Sequence, residues 1–361
     1  MGPLSDVKII EIAGIGPGPF AAMVLADLGA DVIRVDRPGG TAAFGPTDPT
    51  LRGRPVVEAN LKTPEGRELV LALAEKADAL IEGNRPGVME RLGLGPDELA
   101  ARNPKLVYGR MTGYGQDGPL SSVAGHDINY ISISGVLGAI ARKGERPLFP
   151  INLAGDYGGG GMFLIVGVLA GILEARASGK GQVVDAAMTD GSALLTAMMY
   201  GMRAVGAWND EPGTNLLDSG AHFYDTYTTK DGGHVALGAI EPQFYAELLR
   251  LLEIPAEEMP QFDQSRWGEF KGRIAGIIAT KRTAEWAEIL EPAEACATAI
   301  YGFGDAHEHP HNVARGTFIE RGGVVQPAPA PRFSRTQNEI REAPSPEDAL
   351  AAWGVAVPAA S

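Results

Sequence analysis

The stretch "VKIIEIAGIGPGPFAAMVLADLGADVIRVD", residues 7–36, decides the fold. The apolar run Val7 to Ile12 reads as a buried strand. A glycine- and proline-rich turn follows, then a helix of small and apolar residues, then a second strand at Asp31 to Asp36. The unit repeats. "TPEGRELVLALAEKADALIEG" gives a Thr-capped, proline-started helix leading into a strand at Ala79 to Glu82. "PDELAARNPKLVYGRMTGYG" gives another helix and a strand at Leu106 to Arg110. Strands alternating with helices at short spacing predict an α/β fold with a parallel sheet covered on both faces.

Further along, residues 156–177 read as helical, "GKGQVVDAAM" as a strand, and "TDGSALLTAMMYGMRAVGAW" as one more helix. Asn209 to Ser219 turns to Gly, Asn, Asp and Pro and reads as a linker. The segment after it carries "HFYDTYTTKDGGHVALGA", a hairpin with "DGG" at its turn, and helices at Pro242 to Leu252 and Thr283 to Leu290. The proline-rich "QPAPAPRFSRT" reads as extended. The expected domains are 1–208 with 326–361, and 209–325.

The 361 residues carry 31 basic and 45 acidic side chains, a formal net charge of -14. That balance argues against nucleic acid, although local arginines can still hold an anion. Cys296 is the single cysteine, reads as a buried structural thiol and asks for no oxidising compartment. The N-terminus has no signal-peptide pattern, and Gly2 lacks the myristoylation context. "GMFLIVGVLAGIL", residues 161–173, reads as a buried helix too short to span a bilayer. The expected location is the cytoplasm, without membrane contact.

Three motifs promise chemistry and fail on inspection. "GIGPGP", residues 14–19, has proline where a dinucleotide loop needs glycine and a free N–H, so it reads as a tight turn. "HEHPH", residues 307–311, matches HExxH, but Pro310 interrupts the helical turn that zinc would need. "GGGG", residues 158–161, lacks the Lys-Ser/Thr of a phosphate loop and reads as close helix packing.

Other groups survive. Arg37, Arg85 and Arg91 fall near expected strand ends, where α/β folds bind ligands and arginine grips phosphate. His126 and Asp127 sit at a helix start, where free N–H groups can hold an oxyanion. Asp156 reads as the opening of the next helix, with a plain N-cap as the alternative. Met188, Met198, Met199 and Met202 cluster on one expected helix, as core or as a pliable apolar face.

The motifs "GIGPGPFAAMVLADLGADVIRVDRP", "NLKTPEG", "EGNRPGVMERLGLGP", "MTGYGQDGP", "GHDINYISISG", "GDYGGGGMFLIVGVLAGILEA" and "GKGQVVDAAMTDGS" follow in order, and "GAIEPQFY" and "PRFSRT" come later. Together they resemble the alpha-methylacyl-CoA racemase group of the family III CoA-transferase superfamily. The resemblance implies a Rossmann-like parallel-sheet large domain, a smaller α+β domain, and an obligate interlocked homodimer with sites built by both chains. It implies an acyl-CoA substrate held along Arg37, Ala59, Asn60, Leu61, Lys62, Gly83, Asn84, Arg85, Arg91, Gly125 and Tyr130, with the methionines on the acyl chain. It implies no metal and no cofactor beyond the CoA of the substrate.

Transferases of the superfamily use an aspartate matching Asp156 as nucleophile and generally lack the histidine. With His126 present, and Glu241 matching the racemase glutamate, the resemblance implies proton transfer at carbon 2 of a 2-methylacyl thioester. His126 and Asp156 would be the two bases, Glu241 would hold the imidazole, and the N–H of Asp127 would face the enolate oxygen. A transferase using Asp156 as nucleophile is the alternative, and a non-catalytic acyl-CoA-binding protein is a third reading.

Overall fold

The computed structural model describes residues 2–40, 45 and 47–356. Residues 1, 41–44, 46 and 357–361 of the expected large domain lie outside the described residues. The chain packs as two units. One takes the described parts of Met1–Val136, Pro150–Ala197 and Gly316–Ser361; the other takes Leu137–Phe149 and Met198–Arg315. The expected cuts fall after 208 and 325, whereas the packing changes after Ala197 and Arg315, and 137–149 joins the second unit.

The first unit is built on β1 (Lys8–Ile12), β2 (Asp31–Asp36), β3 (Val56–Glu58), β4 (Ala79–Glu82), β5 (Val107–Thr112) and β6 (Val183–Ala187). They form one sheet in the order β3-β2-β1-β4-β5-β6, and every pairing is parallel. The order reverses between β1 and β4, which opens a crevice at the carboxyl ends of the strands. β3 was not anticipated: three residues with one buried side chain give almost no periodicity.

Both faces are covered. On one, Ile10, Ile33, Val35 and Leu80 pack with Leu69 and Leu73 of the Pro64–Ala74 helix and with Leu350 and Trp353 near the C-terminus. The Trp353 indole N–H donates to Asp31 at 2.7 Å, fastening the last described helix, Pro346–Ala352, to the sheet. On the other face, Ile9, Val32, Ile81 and Val107 pack with Leu25 of the Pro17–Asp27 helix and Leu164 and Val168 of the Met162–Ser178 helix.

The apolar run at 161–173 does not stand alone. Residues Leu153–Gly161 form a π-helical stretch that continues into Met162–Ser178. The combined helix has 26 residues and is long and apolar enough by length and composition to cross a bilayer, and half of its most apolar window is buried. Met162, Val166 and Leu173 are exposed in the single chain. The reading of 156–177 as helical therefore holds with its start moved to Leu153, while the reading of its apolar run as buried and too short to span a bilayer is corrected.

That glycine run packs backbone to backbone against the Met188–Leu195 helix. A methyl group on Gly191 would stand 1.9 Å from the Gly159 carbonyl oxygen, and one on Gly159 would stand 2.5 Å from the Ser192 nitrogen. The expected single helix after β6 breaks at Thr196 into Met188–Leu195 and Ala197–Ala204.

In the second unit, β7 (Tyr224–Thr228) and β8 (His234–Gly238) form the antiparallel hairpin expected around "DGG", with β9 (Ala297–Ala299) beside β8. Helices Pro242–Leu251 and Thr283–Leu290 lie where the sequence places them. The Trp267–Ile278 helix was not anticipated. Cys296 is exposed, contrary to the buried reading, because its residue turns at φ 48 just before β9. Pro310 opens the Pro310–Arg315 helix, so the histidines of "HEHPH" straddle a helix start, and His309 contacts Glu291 at 3.1 Å. No metal-binding group of three His, Cys, Asp or Glu occurs among the described residues.

The glycine contact gives a direct test. Gly191→Ala forces a side chain into the Gly159 backbone and should destabilise the chain by about 1–3 kcal/mol in urea unfolding. Gly201→Ala, where an added methyl meets nothing within 4 Å, should leave the midpoint unchanged or raise it.

Candidate active site

Two cavities open at the carboxyl edge of the sheet, both within the first unit. The first, about 460 Å³, is lined by the Gly14–Pro19 turn after β1, by Ile81–Pro86 at the end of β4, by Met111–Tyr114 at the end of β5, and by Gly125, His126, Tyr130, Asp156 and Met188. The second, about 360 Å³, is lined by Arg34–Arg37 from β2, by Ala59–Lys62 after β3, and by Asn84. Ile12, Gly14, Ile15 and Asn84 line both. The "GIGPGP" segment is the tight turn the sequence suggests, with Gly16 at φ 69 and Pro17 opening the helix.

Local sequence explains the placement. Glu82 ends β4, and its carboxylate accepts the Asn84 N–H at 2.6 Å, which shapes the Gly83–Arg85 turn. Arg110, its register partner in β5, neutralises it at 3.3 Å. Glu11 lies buried in β1 opposite Arg34 and also meets Arg54 at 3.2 Å, so three charges are paired beneath the cavities. On the second cavity, the Asn60 side chain accepts the Lys62 N–H at 3.1 Å, and Thr63 caps the Pro64–Ala74 helix.

His126 occupies the N-cap position of the Asp127–Ile133 helix, and its N–H donates to the Asn129 side chain at 3.0 Å. Its imidazole is exposed and faces the first cavity. Asp127 is the first residue of the helix, but its side chain does not cap that helix. It turns inward, 5% exposed, and accepts the N–H groups of Gly155 at 2.6 Å and Asp156 at 2.7 Å. No acceptor among the described residues takes the Asp127 N–H.

Asp156 is not the N-cap considered from sequence. Leu153 opens the π-helical stretch, and Asp156 lies one turn inside it, half-buried, where the Asn152 amide donates to its carboxyl at 3.0 Å. Burial pushes the Asp156 carboxyl above the usual carboxylate range. The negative charge of Asp127 adds to that shift, while the Asn152 hydrogen bond and the His126 charge oppose it. Tyr130 donates its hydroxyl proton to the Gly125 carbonyl and packs edge-on against Tyr114 at 4.9 Å, bracing the turn before His126. Burial pushes the Tyr130 hydroxyl up to about 12.

The cavities thus gather Arg37, Ala59, Asn60, Leu61, Lys62, Gly83, Asn84, Arg85, Gly125, His126, Tyr130 and Asp156. Arg91 is not among them. It ends the short Val88–Arg91 helix, is exposed, and its guanidinium folds back towards Gly87. Glu241 belongs to the second unit, where it is exposed at the N-cap of Pro242–Leu251. The four methionines do not share one helix. Met188 lines the first cavity with Met111, whereas Met198, Met199 and Met202 lie beyond the break at Thr196, in the second unit.

Sequence reasoning missed Asn152, Glu11, Glu82 and Met111. Asn152 had a signal: it precedes Asp156 by one helical turn, a spacing that brings side chains together. Glu11 also had one, as a lone charge inside an apolar strand.

An imidazole and a protonatable carboxyl facing one cavity can exchange protons with a bound molecule, and the adjoining helix start offers a free N–H to an oxyanion. Comparison with known proteins agrees with this chemistry. Residues 4–349 match the family described as CoA-transferase family III. The chain is 45% identical to mouse (Mus musculus) alpha-methylacyl-CoA racemase and 42% identical to the human (Homo sapiens) one, over 92% of this chain and 87% of each relative. A CAIB/BAIF family protein from Brucella suis has the same architecture, with a TM-score of 0.82 and 27% identity over 98% of this chain and 99% of that one. The chain belongs to CoA-transferase family III.

Proposed function

We propose that this protein is an isomerase that interconverts (R)- and (S)-2-methylacyl-CoA thioesters. The observation that carries this reading is the pairing of His126 with Asp156 in a single cavity of a chain 42–45% identical to two racemases. The second cavity, with Arg37 and Lys62 at its wall, suits the phosphates of CoA.

One base removes the proton from carbon 2, and the C–H electron pair moves into the thioester to give an enolate. The other base returns a proton to the opposite face, which inverts the centre. His126 and Asp156 take these roles in turn, according to direction. Asp156 must hold a proton when it acts as the acid, and its raised pKa serves that state. The Asp127 N–H, at the positive end of its helix, stabilises the enolate oxygen. Glu241, supplied by a partner chain, holds the imidazole in one tautomer. The reaction draws on no metal or further cofactor, and we place the enzyme in the cytoplasm.

Dimerisation belongs to the same reading. Met162, Val166 and Leu173 in the first unit are exposed in the single chain, as are Met198, Tyr200 and Val205 in the second. Apolar exposure on this scale marks association surfaces. Analytical ultracentrifugation should find a dimer throughout the micromolar range; a stable, active monomer would overturn the interlocked arrangement.

The proton chemistry is tested by deuterium uptake at carbon 2 of (R)- and (S)-2-methylacyl-CoA in heavy water. His126→Ala and Asp156→Ala should each slow exchange by about a hundredfold or more. Near-normal turnover in either variant, or CoA transfer to an added free carboxylic acid, would defeat the two-base scheme.

Asn152→Ala removes a hydrogen bond that favours the ionised Asp156 carboxylate. The Asp156 pKa should therefore rise further. In the direction where Asp156 is the base it must be ionised, so the acid limb of the pH–rate profile should move to higher pH. An unmoved limb would show that Asn152 does not act on this carboxyl.

A further inference from the structure

We propose that the Asp127 carboxylate is a positioning residue for both bases. It fastens the Asp156 backbone to the residue beside His126 and sets a negative charge against the Asp156 carboxyl. This rests on the racemase reading and adds to it, because that reading uses only the backbone N–H of Asp127.

The geometry is specific. A helix leaves the N–H groups of its first turn without internal partners, and a π-helical opening leaves more of them than an α-helix does. Here Oδ2 of Asp127, reaching across from another helix, takes two such groups, Gly155 and Asp156. His126 is the covalent neighbour of Asp127, so the path from one base to the other runs through a single carboxylate. A side chain at 155 would press on this contact, since a methyl group there would stand 2.5 Å from Oδ2.

The other oxygen carries the second half of the argument. Oδ1 of Asp127 is shut off from solvent and accepts no hydrogen bond among the described residues. Keeping a buried carboxylate half-satisfied is costly. A cap alone does not need the charge, because an asparagine oxygen would serve the same two N–H groups.

The charge has a target. Asp127 acts on Asp156 by repulsion, and His126 and the Asn152 bond act against it. Tyr130 and Arg85 face the same cavity, with Glu11 and Glu82 among its lining. Nearest the glycines of the π-helical segment, the neighbouring helices place Phe20, Ile131, Met188, Ser192 and Leu195, which carry no charge, and Asp127 itself. Burial raises the Asp156 carboxyl most, and like charges close together favour the protonated form of one of them, so the Asp127 carboxylate, held at the Asp156 backbone, pushes in the same direction.

Asp127→Asn separates charge from bracing. The variant should fold, bind (S)-2-methyldecanoyl-CoA with a KM within about twofold, and show the Asp156 limb of the kcat profile displaced to lower pH by about one unit. Asp127→Ala should lose the bracing as well, with kcat reduced at least about a hundredfold. Carboxyl carbon-13 titration of Asp156, assigned by its loss in Asp156→Asn, reads the same displacement without turnover. It therefore tests the proposal even if the wild-type chain exchanges no proton at carbon 2, a result that would sink the racemase reading alone. An Asp156 midpoint unchanged in Asp127→Asn overturns the proposal, as does wild-type turnover in Asp127→Ala.

Discussion

The reversal of strand order between β1 and β4 is the constraint on which the site depends. Parallel strands joined by right-handed crossovers send their helices to opposite faces on the two sides of the reversal. The connections after β1 and β4 therefore diverge and cannot close over the sheet edge. Everything that faces the ligand space hangs from that gap: the Gly14–Pro19 turn, the Gly83–Arg85 turn, and the β5 end that leads on to His126. The apolar β-strands make the gap rigid, since both of their faces are packed and none can tilt without opening a core.

Charge is arranged in two layers around this gap. Beneath it, Glu11 with Arg34 and Arg54, and Glu82 with Arg110, are closely paired and largely cancel. Their role is to shape turns. Above them, Asp127 and Asp156 approach one another with no cation bonded to either among the described residues, and the exposed His126 stands at the rim. The separation lets a chain of net charge -14 keep a local field that differs from its surface. The raised proton affinity of Asp156 follows from its burial first and from the adjacent Asp127 charge next.

The large unit was legible because β1, β2 and β4 are predominantly apolar and buried on both faces, with proline-started helices after β1 and β3. Where the physics was not local, the reading failed. β3 is too short to show a period, and Gly268, Gly272 and Gly276 on the exposed side of Trp267–Ile278 weaken its helical signal. The position of Asp156 depends on a π-helical widening that no residue pattern announces, because glycine runs more often break helices than alter their pitch. His126 and Asp156 stood out from family resemblance, but the inward turn of Asp127 did not. A first-turn aspartate normally stays at its own helix, and only the partner N–H groups, far along the chain, explain why this one leaves.

The tether between Trp353 and Asp31 has a consequence for how the protein is made. β1 and β2 of the large unit precede the second unit in the sequence, yet one face of their sheet is covered by the last described helix, which follows that unit. Until that helix emerges, Ile10, Ile33 and Leu80 lack part of their cover, while the second unit, an insertion within the large one, is already complete. The nascent chain therefore carries an open apolar surface between synthesis of these strands and synthesis of that helix, a state that chaperones hold and that aggregation exploits. Completion of this core waits for the Pro346–Ala352 helix, which follows the whole second unit in the sequence.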